Sequence, residues 1–177
     1  MTDHGHMTAA RLFRMDETTW ERHASPWSVW TRVVSLPVLL LAVWSHAWLG
    51  LWALVPVALV ALWLWLNPRL FRRPDRTDTW SAKATFGERV WLNRREVPIP
   101  AHHARMALIL TGLSTVGFVA ALVGAVLNDL PTTVAGGLVA WLAKMWFCDR
   151  MAWLYDDMKD KHRPYAAWLR TPEKEGK

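Results

Sequence analysis

Two adjacent histidines, His102-His103, and a lysine set in an apolar run, Lys144, are the residues whose type and placement could support chemistry. Neutral imidazole is a common ligand for transition metals, but a metal site needs several spaced donors. The adjacent pair is the only histidine cluster; His23 is distant in sequence, and His4 and His6 lie in the N-terminal tail. This pattern favours histidines that contact lipid phosphate over a metal site, and no cofactor is expected. The lone cysteine, Cys148, has no base partner in sequence, and neither a Gly-x-Ser-x-Gly elbow nor a phosphate-binding glycine loop occurs. No catalytic residue is assigned, and the reading leans away from an enzyme. Lys144 shares a helical stripe with Gly136 and Ala140. A charge inside a membrane span is costly and marks a candidate site. It either snorkels about two turns to the nearer interface or pairs with Glu88 or Asp149. Arg150 has Trp146 one turn before it to stack on and Asp157 two turns after it. The remaining constellation is a basic rim of Arg32, Asn67, Arg69, Arg89, Asn93, Arg94, Arg95, His102, His103 and Arg150. Arginine forks bind phosphate in two-pronged fashion, so Arg69, Arg89, Arg94, Arg95, His102, His103 and Arg150 are candidates for a lipid headgroup or another anion.

The elements that must carry these residues are apolar. Of 177 residues 53% are hydrophobic, yet mean hydropathy is only +0.07, so apolar and charged residues are segregated. No Asp, Glu, Lys or Arg occurs from Val33 to Leu66, from Met106 to Asn128, or from Leu130 to Ala143. A helix crossing the hydrocarbon core needs ~20 apolar residues. The first run is too long for one span, so the sequence predicts four, at about 30–45, 48–66, 106–127 and 131–150. The fold class expected is all-α: a polytopic membrane protein of two helical hairpins in a domain over 26–158, with an N-terminal tail over 1–25 and a C-terminal tail over 159–177.

Charge orients this arrangement. Of 21 Lys and Arg residues, four lie in the first 32 positions, nine from Arg69 to Arg105 and eight from Lys144 onward. None lies in the turns Ser45-His46-Ala47 and Asn128-Asp129-Leu130. The positive-inside rule then puts both tails and the loop over 67–105 in the cytoplasm. The net charge of +6 is thereby explained without nucleic acid. The tryptophans, 14 in all, fit two interfacial belts better than a ligand pocket: Trp44, Trp48 and Trp52 outside; Trp27, Trp30, Trp63, Trp65, Trp146 and Trp153 inside. The N-terminal segment lacks the apolar core of a cleavable signal, and Met7 and Met15 are alternative starts.

Local signals refine the picture. Ser25-Pro26 reads as an N-cap and first helical residue; Pro37 and Pro56 are expected to kink the first two spans. Gly117, Ala121 and Gly124 share one face of the third span, as Gly136 and Ala140 do of the fourth, which predicts a tight hairpin or else a homodimer seam. In the central loop, Thr77 or Asp78 is placed to cap an interfacial amphipathic helix, with Trp80, Ala84, Gly87 and Trp91 on one side and Lys83, Glu88, Arg89 and Arg94 around the others. The C-terminal tail is expected to continue as a charged helix, with Asp157 and Lys161 four apart, and to be disordered beyond Pro164.

Three stretches carry a resemblance: Trp20-Glu21-Arg22-His23-Ala24-Ser25-Pro26-Trp27-Ser28-Val29-Trp30-Thr31-Arg32, Phe86-Gly87-Glu88-Arg89-Val90-Trp91-Leu92-Asn93-Arg94-Arg95, and Trp146-Phe147-Cys148-Asp149-Arg150-Met151-Ala152-Trp153. With Asn67-Pro68-Arg69, they resemble a prokaryotic family of small membrane proteins known only as a domain of unknown function. The resemblance runs from about Phe13 to Met158, departing at Ser25, where asparagine is expected. It implies a membrane location and no activity, substrate or cofactor. Together these features predict an inner-membrane protein with no assigned activity, a structural or accessory component packing with anionic lipid and with partner subunits or further copies of itself. The alternative is a membrane enzyme or carrier that holds an amphiphilic anion on the Arg/His rim.

Overall fold

The computed structural model describes residues 17–171. Most of the N-terminal tail, with His4, His6, Met7 and Met15, and the last six residues lie outside the described residues. Every regular element among the described residues is helical. In chain order they are α1 (Glu17–His23), α2 (Pro26–Trp44), α3 (His46–Leu49) followed by a 3-10 turn (Gly50–Ala53), and α4 (Leu54–Leu70). Then come α5 (Trp80–Leu92), α6 (Ala101–Val126), α7 (Leu130–Met158) and α8 (Arg163–Ala166).

Two segments are long and apolar enough to cross a membrane. Pro26–Leu70 and Ala101–Val126 each contain a window of mean hydropathy 2.2, of which only 11% and 22% is buried. A core helix of a water-soluble protein would be mostly covered. Helix α7, which holds the expected span 131–150, falls short because Pro131, Thr132, Thr133, two glycines and Lys144 dilute its apolar run.

The α6–α7 hairpin is built as the small residues predict. A Cβ added at Gly117 would sit 2.6 Å from the Ala140 nitrogen, and one at Gly136 would sit 2.5 Å from the Ala121 nitrogen. Backbones approach this closely only where no side chain intervenes. Asn128, with φ of 55°, ends α6 in the left-handed conformation. Asp129 N–H then reaches back to the Gly124 carbonyl at 2.8 Å and Asn128 N–H to Ala125 at 3.4 Å, a Schellman arrangement that satisfies the carbonyls at the helix end.

The first hairpin departs from expectation. Its turn is not the three residues Ser45-His46-Ala47 but the eight of α3 and the 3-10 turn. The partner helix therefore starts at Leu54 rather than Trp48, and Pro56 falls in its first turn, where no N–H is needed and no kink is forced. Pro37 does lie inside α2. Ser25 occupies the N-cap position of α2 without a side-chain capping bond.

Large buried side chains gather at one end, where α5 and the C-terminal segment pack on α7. Phe86, Val90, Met151, Leu154, Tyr155, Met158 and Tyr165 form this core, with Trp168 against it. Helix α5 is thus buried on more than one side: Ser81, Ala82, Ala84, Thr85, Phe86, Gly87 and Val90 are all covered. It is wedged into the protein, not laid along a surface by a single apolar face. Gly87 makes this possible, since a Cβ there would lie 1.8 Å from the Met151 carbonyl oxygen. Its cap is Thr79, which accepts from Ala82 N–H at 3.4 Å. Thr77 instead ties the loop to the C-terminal segment. Its N–H donates to the Arg170 carbonyl at 2.9 Å and its hydroxyl to the Trp168 carbonyl at 2.8 Å. Chain beyond Pro164, expected to be disordered, is therefore docked through Arg170. Tyr165 and Trp168 are apolar anchors in a stretch whose charge dominates its composition.

Candidate functional site

Members of the basic rim are held by several separate local contacts. Four guanidinium groups lie flat on tryptophan rings: Arg69 on Trp65 at 4.3 Å, Arg89 on Trp168 at 4.2 Å, Arg94 on Trp91 at 3.9 Å and Arg150 on Trp153 at 4.3 Å. The arginine charge meets the negative face of the ring. Arg150 thus stacks on the tryptophan three residues after it, not on Trp146, and Asp157 is bonded elsewhere. Arg95 is exposed. Asn93 donates from Nδ2 to the Tyr165 hydroxyl at 3.0 Å, which ties the end of α5 to the C-terminal segment.

Asn67 leaves the rim altogether. It is fully buried, accepts from the Ser28 hydroxyl at 2.7 Å and donates from Nδ2 to Thr31 Oγ1 at 2.7 Å. This clasp joins α2 to α4 where the apolar run of α4 ends. Tyr155 makes a comparable tie, its hydroxyl donating to the Tyr165 carbonyl at 2.9 Å.

Lys144 pairs instead of snorkelling alone. Its Nζ is 2.7 Å from Glu88 Oε1 on α5 and 4.4 Å from the Phe147 ring centroid. Burial would raise the Glu88 carboxyl, but the Lys144 and Arg32 charges outweigh it and hold the group at about 2. Arg32 also donates from Nη1 to His23 Nε2 at 2.7 Å. That nitrogen must therefore be unprotonated, and burial with the Arg32 charge lowers the His23 imidazole to about 3. The sequence offered Glu88 as one partner for Lys144, but the spacing of His23 and Arg32 holds no hint that they join it, because the group draws on four elements.

A second group forms where α6 begins and α7 ends. His103 is fully buried, with Nε2 2.8 Å from Asp157 Oδ2, and the His102 ring lies 4.2 Å from that of His103. Asp157, placed by the sequence within reach of Arg150 and Lys161, pairs with His103, 54 positions away. An outer cleft between α5 and α7 is lined by Asp78, Lys83, Asp149 and Asp156, where Lys83 bridges to Asp156 at 2.9 Å. An apolar cleft of about 620 Å³ lies between α2 and α7 and is lined by Pro37, Leu40, Trp44, Gly137 and Trp141; none of the rim residues lines it.

An all-helical fold among the described residues, with two membrane-length apolar segments, defines a class of candidate membrane protein. The chain belongs to a family of unknown function, DUF6653, whose model matches residues 5–173. No curated protein and no protein of solved structure matches it.

Proposed function

We propose that this chain is a four-span protein of the prokaryotic cytoplasmic membrane that serves as a structural or accessory component, with α2, α4, α6 and the first half of α7 in the bilayer. The observation that carries this reading is a reversal along α7. Over Leu130–Ala143 the helix buries Thr133, Gly136, Ala140 and Ala143 while exposing Leu130, Val134, Leu138 and Leu142; from Phe147 onward it buries Phe147, Met151, Leu154, Tyr155 and Met158. A continuous stripe of large apolar side chains facing outward fits surroundings that are themselves apolar. The two tails, the loop with α5, and the core around Tyr155 then lie on the cytoplasmic side, as the charge distribution requires. An accessory role is supported by the rim: Arg69, Arg89, Arg94 and Arg150 are each spread over a different tryptophan instead of facing one headgroup pocket. That same dispersal weighs against an enzyme or carrier built on the rim. The anionic leaflet and partner helices are the proposed contacts.

Cysteine accessibility tests the topology. In a Cys148→Ser background, Asp129→Cys should react with an impermeant maleimide from outside intact cells; reaction only after the cytoplasmic side is opened would overturn it. Native mass spectrometry of the detergent-extracted chain tests the role. A stoichiometric partner subunit supports it, and a bare monomer that binds neither lipid nor protein counts against it.

A further inference from the structure

The corner between the start of α6 and the end of α7 holds donor atoms that the packing alone does not account for. Consecutive residues on a helix point about 100° apart, yet the His102 and His103 rings are in contact, tilted by 39°. Asp157 brings a carboxylate to the same place from the far end of the hairpin. One donor atom from each of the three lies within 4.8 Å of the other two. His103 is fully covered, and its second ring nitrogen, Nδ1, has no partner in the protein.

We propose that His102, His103 and Asp157 form a binding site for a divalent transition metal of the zinc class. Two donors on one tetrahedral zinc ion, each at roughly 2.0–2.2 Å, stand about 3.3–3.6 Å apart. Rotation of the exposed His102 side chain, with a slight parting of His103 Nε2 and Asp157 Oδ2 from their 2.8 Å hydrogen bond, would close the set. Two imidazoles and one carboxylate select borderline ions over calcium or magnesium, which take oxygen ligands, and over copper(I), which takes sulfur. Three protein ligands leave a fourth position for water. The Trp153 ring stands edge-on to His103 at 6.1 Å and restricts its movement. The Arg150 charge acts on His103 and opposes a cation, which weakens binding. The bound ion would fasten the first turn of α6 to the last turns of α7. This inference rests on local geometry and does not depend on the membrane topology.

The test uses the full chain in detergent, stripped with chelator and titrated with zinc by calorimetry in a His4→Ala/His6→Ala background that silences the tail histidines. One equivalent is expected at micromolar zinc. His102→Ala, an exposed position that leaves folding intact, and Asp157→Asn should each weaken binding about tenfold or more with unchanged circular dichroism. Arg150→Gln should tighten it severalfold. The absence of binding in the parent, or binding that both His102→Ala and Asp157→Asn leave unaltered, overturns the site; the second outcome assigns the zinc to other residues.

Discussion

The two halves of α7 solve the same problem, holding a helix against its neighbours, by opposite means. Over Leu130–Ala143 contact is backbone to backbone, through Gly136 and Ala140 against Gly117 and Ala121. Over Phe147–Met158 contact is made by large side chains, with the Phe86 and Tyr155 rings 5.3 Å apart and Trp168 5.7 Å from Phe86. In water, removing large apolar surface from solvent drives packing, so big residues turn inward. In lipid that drive is absent and shape complementarity takes its place, so small residues mark the interface. The change of rule falls between Lys144 and Phe147, where the lysine reaches Glu88 on α5. On the proposed topology, this change of rule along one helix marks where the bilayer ends.

The sharpest way to break the comparison is truncation in the half with the large-residue core. Tyr155→Ala empties a fully covered site and strands the Tyr165 carbonyl; a loss of about 3–5 kcal/mol is expected, measured by denaturant unfolding in micelles. Truncation of the outward-facing Leu138 should cost far less in the same assay, and equal costs would show that both halves pack alike. Next in size is the reverse substitution in the small-residue half. Gly136→Leu places atoms where the Ala121 backbone already lies, and about 3 kcal/mol is expected from overpacking. The readout is detergent-induced loss of helicity, and a tolerated leucine would mean that the α6–α7 seam is loose.

Acid should act where the two halves meet. His23 titrates near 6.5 when unfolded and at about 3 in the fold. Between these values only the unfolded chain binds the proton, so stability is intact above pH 6.5 and falls as pH drops toward 3. The loss amounts to roughly 2–3 kcal/mol by pH 4.5. Glu88, whose folded value is about 2 against 4.5, adds a further loss below 4.5 as its carboxylate is protonated. Melting temperature followed from pH 7 to 4.5 should drop in the parent and drop less in His23→Gln; parallel curves would remove His23 from the boundary. The smallest effect is expected at the rim, where Arg94→Gln removes one guanidinium from Trp91 at a cost of about 0.5–1 kcal/mol. A much larger loss there would make Arg94 part of the core instead of its edge.

Much of the small-residue half was legible in the sequence. Glycine and alanine at helical spacing announced the α6–α7 seam, and Asn128-Asp129 marked its turn. The large-residue half was harder to read because its partners are far apart along the chain. Nothing near Thr77 signals that Arg170 will meet it, and the many charges after Met158 mask the two aromatic anchors, Tyr165 and Trp168. The sites fared similarly. Lys144 with Glu88 was one of two pairings the sequence offered, whereas Asp157 was expected to face Lys161 because neighbours four apart on a helix normally meet. The start of α4 was hidden because Trp48 and Trp52 continue the apolar composition through a connector that is not a single helix.

The pairing of Thr77 with Arg170 also sets an order in time. These residues are separated by 93 positions, and a ribosome adding roughly 5–20 residues per second needs about 5–20 seconds to make that stretch. During this interval α5 has been synthesised but lacks the segment that covers Phe86. Closure over α5 must follow synthesis of Arg170, so a nascent chain halted before Trp168 would present an unfinished aromatic surface to whatever chaperone or membrane machinery attends it.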